Sequence, residues 1–578
     1  MFERVLIANR GEIAVRLVRA LRDLGVASVA VHARDDAQAL HVRLADRSVA
    51  LDATGPAAYL DVAALVAVAL AQGCDAVHPG YGFLSERADF AQACADAGLV
   101  FIGPTVEQLR LFGDKARARA LALECGVPVM PGSAGAVGLD EARAFFQAQQ
   151  AQGAGVMLKA IGGGGGRGLR AVRTLDELQP AYERCVSEAR AAFGSEGVYV
   201  ERLMRRARHV EVQVLGDGAS VTSLGERECT LQRRFQKLVE IAPSPSLPEA
   251  LRDALTQAAL RMARSVGYRG LGTFEFLVDV ASTELPFVFI EANPRLQVEH
   301  TVTEAVTGLD LVQLQLGVAA GGTLDELGLA AETTVPRHGH AIQWRINAET
   351  LDAQGQARPA GGTLRRFDLP SGPGVRVDTH GQAGLTPSPH YDTLLAKLVV
   401  HSPSRRFADV LRRSLGALQE CRIEGLATNL ALLRAIGRRP EFETQVLDTG
   451  FVEDHLGELL AEAARLEGVL AAGGSDGHAQ DAAAGAAEAT VGGEQGIDPD
   501  IVRAPMPARL VGFDVEVGEL LPAGAQLAVL EAMKMEHLLL ARVAGRVLAL
   551  LEAPGGVVME GQPLLRLEPV DAEAVRAT

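Results

Sequence analysis

No two of the six cysteines form a CxxC pair, and none has a histidine at metal-ligand spacing. Cys74, Cys94, Cys125, Cys185, Cys229 and Cys421 are scattered instead. That excludes a zinc ribbon and a disulfide framework and points to a reducing compartment. Cys229, in GERECTLQRRF, is placed by its motif near a candidate site, but the usual role of an unpaired thiol is inert packing. Positive charge is not in excess either. The formal net charge of −16 argues against a nucleic acid or an anionic membrane as the main partner. The longest apolar run, VAALVAVALA (62–71), is too short to cross a bilayer and is predicted to be a buried helix. The opening MFERVLIANRGE reads as a strand and turn, not a secretion signal. A cytoplasmic protein is expected. The glycine run IGGGGGRGL (161–169) lacks the GxxxxGK[ST] pattern, which excludes a P-loop.

What is present is apolar material enough for sizeable cores. Hydrophobic residues make up 48% and charged residues 22% of 578 positions, a length suited to about three or four domains. Residues 1–112 repeat a strand, a glycine turn and a helix, which predicts an α/β domain with a parallel open sheet. The polar tips NRGE and HPGYGFLSE fall at C-terminal strand ends, where such sheets bind ligands. Residues 113–335 carry alternating strands suited to antiparallel pairing, and 336–447 form a further α+β piece. A helix and then a Gly/Ala-rich stretch without aromatics (472–498) occupy 448–500 and read as a flexible linker. Its flexible part, about 27 residues, has an r.m.s. span of roughly 30 Å. Residues 501–569 return to short β runs, with IVRAPMPARLVGF echoed by LLARVAGRVLALL on either side of Lys534. Two β halves meeting at that turn make a flattened barrel with the lysine exposed at one end.

The stretch IEANPRLQVEH (290–300) carries the densest chemistry. An extended chain would place Glu291, Asn293, Arg295, Gln297 and Glu299 on one face. A carboxylate leaving the apolar strand LPFVFI needs a cation, as does Glu275 between two phenylalanines in GTFEFLV. Two carboxylates with an amide oxygen suit Mg²⁺. Arg295 then offers a fork for a small planar anion, and Glu299 a base. The glycines from 162 to 166, after a strand carrying Lys159, can turn consecutive N–H groups toward phosphate and suit a lid over a nucleotide.

These motifs identify a resemblance. NRGEIAVR, HPGYGFLSE, GDK, KAIGGGGGRG, RHVEVQV, QRRFQK, GTFEF, EANPRLQVEHTVTE and RINAE stand in the order found in biotin carboxylases of the ATP-grasp superfamily. EAMKMEH resembles the attachment motif of biotinyl carrier domains. The combination is similar to the α subunit of biotin-dependent acyl-CoA carboxylases, closest in pattern to the acetyl-CoA carboxylase family. The resemblance implies a biotin carboxylase N-terminal domain (1–112), an ATP-grasp domain (113–335), a biotin carboxylase C-terminal domain (336–447) and, after the linker, a biotinyl domain (501–569).

It also implies roles. Lys115, Lys159, Gly163, Gly164, Gly165, Gly166, Glu201, His209, Gln232 and Lys237 match ATP-binding positions. Glu275, Glu291 and Asn293 match ligands of Mg²⁺ or Mn²⁺. Arg295, Gln297 and Val298 match the bicarbonate site, Glu299 the general base, and Arg345 the cation that stabilises charge on the biotin ureido oxygen. With Lys237 and Arg295 these complete the catalytic set, and Lys534 matches the biotinylated lysine. Phe235 departs from the pattern, where His or Asn is common, and an effect on ATP affinity is expected from it. The implied partners are a carboxyltransferase subunit acting on an acyl-CoA (acetyl- or propionyl-CoA first) and a biotin protein ligase, in a homodimer or larger α/β assembly. Two other readings remain open on the sequence: another ATP-grasp carboxylate–amine ligase, and a non-catalytic carrier scaffold.

Overall fold

The computed structural model describes residues 1–133, 135–161, 168–193, 197–204, 206–279, 285–329, 335–352, 355–473, 501–532, 535–559 and 561–570. Gly163, Gly164, Gly165, Gly166, Lys534 and nearly all of the 472–498 linker lie outside these residues.

Short apolar strands followed by glycine turns and helices produce parallel pairing at the N-terminus. Strands β1 (Arg4–Ile7), β2 (Ala27–His32), β3 (Arg47–Ala50), β4 (Ala76–His78) and β5 (Val100–Phe101) form a parallel sheet in the order β3-β2-β1-β4-β5, as expected. Helix α1 (Gly11–Asp23) leaves β1 through the NRGE turn, where Gly11 has φ +66°, a conformation that disfavours any residue with a Cβ. Helix α2 (Val62–Ala71) corrects the expectation of a buried helix. Only Leu65 and Ala69 are buried, and Leu70 is 53% exposed. Its outer face is built largely of alanine, which exposes little apolar area. No helix among the described residues is long and apolar enough to cross a membrane.

A small antiparallel sheet follows, with β6 (Val156–Ala160) between β7 (Leu169–Val172) and β8 (Val198–Arg202). The glycine run connects β6 to β7. The largest sheet has eight antiparallel strands. Six are β9 (Arg208–Asp217), β10 (Val221–Arg233), β11 (Gln236–Ala242), β12 (Arg269–Val278), β13 (Phe287–Asn293) and β14 (His340–Asn347). β15 (Val375–Thr379) and β16 (Leu394–Ser402) complete it, in the order β13-β12-β9-β10-β11-β14-β16-β15. Trp344 on β14 is fully buried, with its ring 5.7 Å from that of Phe442. The C-terminal β region forms two four-stranded antiparallel sheets, the flattened barrel expected there. Strands Gln526–Ala532 and Met535–Leu540, which flank Lys534 in sequence, pair antiparallel.

Three histidines of the parallel-sheet region and its surroundings are held neutral. Burial pushes His41 and His380 down to about 4 and His78 to about 3, with Arg10 adding to the effect on His380 and Arg16 on His78. In the unfolded chain each titrates near 6.5. Below that pH the unfolded state therefore takes up protons that the folded state refuses, at about 1.4 kcal/mol per histidine per pH unit. Calorimetry should record a steep fall in Tm from pH 6.5 toward pH 4. A Tm that stays level to pH 5 would contradict this.

Candidate active site

Strand register lines up three carboxylates. Glu275 on β12 lies opposite Glu211 on β9 and opposite Glu291 on β13. Such a row demands cations and hydrogen-bond donors, and four groups face it. Lys237 on β11 places its Nζ 2.7 Å from Glu211 and 3.3 Å from Glu275. Arg227, wholly buried, pairs with Glu211. His209 Nε2 lies 2.6 Å from Glu275 Oε2, and Lys115 Nζ 3.0 Å from Glu291 Oε2. Burial opposes the charge on Glu275 and Glu291. Lys237 with His209 for the one, and Lys115 for the other, outweigh it and keep both carboxyls below their usual range. For Glu211 burial prevails, and its carboxyl is pushed up. Asn293 Nδ2 and Gln297 Nε2 both donate to Glu275 Oε1, at 2.7 and 2.8 Å. Two ionised carboxylates in register, with an amide beside them, are an oxygen-rich donor set that fits Mg²⁺.

The extended reading of 290–300 holds only through Asn293, where β13 ends. Pro294 has no N–H to continue the ladder, and Arg295 N turns back to Asn293 O at 2.8 Å. Glu299 is therefore the residue that precedes a helix, α3 (His300–Thr307), and not the end of a strand face. The turn still gathers the predicted residues. Arg295 donates to Asn293 Oδ1, Gln297 Oε1 and Leu296 O, each at 3.1 Å, and its Nε lies 3.3 Å from Glu86. Val298 presents its carbonyl to Lys397 Nζ at 3.1 Å.

Glu299 is 1% exposed in its side chain and sits between two cations. Lys237 Nζ is 2.6 Å from Oε1 and Arg345 Nη2 is 3.1 Å from Oε2. Burial opposes its charge, but Lys237, Arg345 and Arg227 hold the carboxyl far below the ordinary range. Arg345 is also paired with the wholly buried Glu240, which accepts from Gln343 Nε2 at 3.0 Å. Cys229 is buried beside this cluster. Its Sγ and the carboxylates of Glu211 and Glu299 lie within 4.8 Å of one another, and burial keeps the thiol protonated.

A second group lies near Lys115 and Glu291. Lys159 Nζ is 2.5 Å from Glu201 Oε2, with Arg119 3.3 Å from Oε1 of the same carboxylate. Gln232 Nε2 reaches His209 Nδ1 at 2.7 Å. Phe235 is 41% exposed at the β10–β11 turn, where Arg234 and Phe235 have φ of 48° and 65°. Two successive left-handed residues make a turn that Asn or Gly occupies readily and Phe does not. A backbone reason thus exists for polar residues at this position, beside any contact with nucleotide.

Sequence reasoning missed Glu211, Glu240, Arg227 and Lys397. Glu211 had a signal, because it shares a strand face with His209 two residues away. The others are brought in by strands far apart in sequence.

Comparison with known proteins follows the same outline. Residues 1–109, 114–327 and 343–454 match the biotin carboxylase N-terminal domain, the carbamoyl-phosphate synthase L chain ATP-binding domain and the biotin carboxylase C-terminal domain. Residues 500–567 match the biotin-requiring enzyme family. Biotin carboxylase of Nostoc sp. is 45% identical over 78% of this chain and 99% of its own length. Pyruvate carboxylase 1 of Caenorhabditis elegans is 44% identical over 78% of this chain but only 38% of its own length. Among solved structures, the biotin carboxylase domain of a single-chain bacterial carboxylase is 53% identical (TM-score 0.71, 80% of this chain, 99% of that one). A single-chain, multi-domain long-chain acyl-CoA carboxylase is 41% identical along all of this chain (TM-score 0.70), which spans 52% of it. The biotin carboxylase domain of Hydrogenobacter thermophilus 2-oxoglutarate carboxylase, a dimer with MgADP, ADP and bicarbonate, is 39% identical (TM-score 0.74, 79% of this chain, 99% of that one). The chain belongs to the biotin carboxylase family, as an ATP-dependent ligase that uses Mg²⁺ and biotin and carries its own biotin-attachment domain.

Proposed function

We propose that this chain activates bicarbonate with ATP, carboxylates biotin held on Lys534, and supplies a carboxyltransferase whose acceptor is an acyl-CoA. The observation that carries the first half is Glu299, ionised and clamped between Lys237 and Arg345 beside Arg295 and Gln297. Bicarbonate is a weak electrophile, so one of its oxygens must first take the γ-phosphoryl group of ATP, with ADP leaving. Arg295, Gln297 and the Val298 turn hold the anion. Lys115, Lys159, His209, Glu201 and Gln232 hold the nucleotide, and Glu275, Glu291 and Asn293 would hold Mg²⁺. The ion, when bound, neutralises the phosphate oxygens on which charge accumulates. Glu299 removes the bicarbonate proton.

Clamped by Lys237, Glu299 is a feeble base. A phosphate arriving at the site competes for Lys237, and each step of that withdrawal raises the basicity of Glu299. Substrate binding and base activation are thereby coupled. Arg345, its guanidinium held in place by Glu240, would stabilise negative charge on the ureido oxygen of bound biotin. Biotin, when carried on Lys534, would supply the ureido nitrogen that receives the carboxyl group, with the C–O bond of the phosphorylated bicarbonate breaking and the ureido N–H proton leaving on the departing phosphate.

The acceptor half rests on the match along the whole chain to the long-chain acyl-CoA carboxylase. A dimer within a larger assembly is proposed with it. The test is carboxylation by this chain with its co-purified carboxyltransferase, offered acetyl-, propionyl- and longer acyl-CoA and pyruvate. Turnover of an acyl-CoA with none of pyruvate is expected. Pyruvate as the preferred acceptor would overturn the acyl-CoA reading and leave the biotin carboxylase reaction standing.

A further inference from the structure

Arginine serves almost everywhere this chain needs a cation. Of its 56 lysines and arginines only five are lysine. Four have been placed above: Lys115, Lys159 and Lys237 in the candidate site, and Lys534 on the carrier. The fifth is Lys397 on β16, and its side chain is wholly buried.

The surroundings of Lys397 are specific. Its Nζ lies 3.1 Å from Val298 O, 3.0 Å from Glu12 Oε1 and 3.6 Å from Asp378 Oδ2. Two acceptors, Val298 O and Glu12 Oε1, lie within hydrogen-bonding distance of the ammonium, and Asp378 adds a longer ion pair. They come from three parts of the chain: α1, the turn after β13, and β15. Each is itself fixed. Glu12 accepts from the Tyr81 hydroxyl in the HPGYG turn, and Asp378 accepts from Arg376 at 2.8 and 2.9 Å. A guanidinium, planar, larger and with five donors, could not be satisfied by this set. The site accounts for a lysine in a chain that otherwise prefers arginine. His300, next to Glu299, is buried near Lys397, Arg16 and Arg376 and stays neutral, so it adds no charge there.

We propose that Lys397 is a positioning residue for the bicarbonate-binding turn. It fixes the Val298 carbonyl, and with it the Val298–Glu299 peptide. It touches neither bicarbonate nor nucleotide. The proposal rests on Arg295, Gln297 and Val298 being the bicarbonate site.

The experiment is steady-state carboxylation of free biotin by the full chain, with ATP and bicarbonate varied separately. For Lys397→Met the KM for bicarbonate should rise at least tenfold while the KM for ATP stays within twofold. An unchanged bicarbonate KM overturns the proposal. So does a parallel rise of both constants, the mark of a generally loosened fold. If Lys397→Met does not accumulate folded, the double variant K397M/E12Q neutralises Glu12, the nearer carboxylate left behind, while Asp378 keeps its partner Arg376, and is read by the same criterion. Arg295→Ala serves as reference. Should it leave the bicarbonate KM untouched, the assignment of the anion site has failed, a result distinct from failure at Lys397 alone.

Discussion

Replacing Glu299 by Gln should lower kcat for bicarbonate-dependent ATP cleavage and biotin carboxylation by about 10²- to 10⁴-fold, the range for loss of a positioned general base. Glutamine keeps the shape of the side chain but cannot accept the proton. The KM for ATP should fall rather than rise, since Lys237, which pairs with Glu299 at 2.6 Å, is released to the incoming phosphate, while Lys115 and Lys159 are paired with Glu291 and Glu201 instead. Stability will also report on the site. Glu299 compensates Lys237 and Arg345 within a buried cluster, and breaking such a pair by removing one partner costs about 3–5 kcal/mol. A melting curve therefore belongs beside the kinetics. A folded Glu299→Gln enzyme within threefold of wild-type kcat would remove Glu299 from the role of base.

The second large effect separates the two halves of the chain. Lys534→Arg should abolish biotin attachment, because a guanidinium is always protonated and is no nucleophile for acylation. Residues 501–569 contain no other lysine that could substitute. An avidin blot should lose its signal and transfer to acyl-CoA should stop entirely. Carboxylation of free biotin should continue at the wild-type rate, because the ATP and bicarbonate groups all lie upstream of residue 400. Retained avidin binding would mean that another residue carries the cofactor.

How much of this was legible in the sequence depended on how local the determinant was. The parallel sheet, the β halves around Lys534 and the runs GTFEF and EANPRLQVEH declare themselves through period and composition. Register does not. That Glu211, Glu275 and Glu291 form one row is a property of three strands drawn from positions 208 to 293. Glu240 and Lys397 acquire meaning only once β11, β14 and β16 are side by side. The misread turn after Asn293 has a local cause, Pro294, whose missing N–H was visible but was outweighed by the alternation of charged residues. Helix α2 was misjudged because hydropathy cannot distinguish a covered alanine from an exposed one.

The eight-stranded sheet has a consequence for how the molecule can be divided. β11 and β14 pair from Val239–Trp344 to Ala242–Ala341, so the boundary read near residue 335 in sequence runs through a backbone ladder in space. A chain cut there would bare β11 on one fragment and β14 on the other. Each would be a strand flank with unsatisfied N–H and C=O groups, ready to recruit a neighbouring molecule. The seam that looks natural on paper is thus where dissection would turn one enzyme into two self-associating pieces.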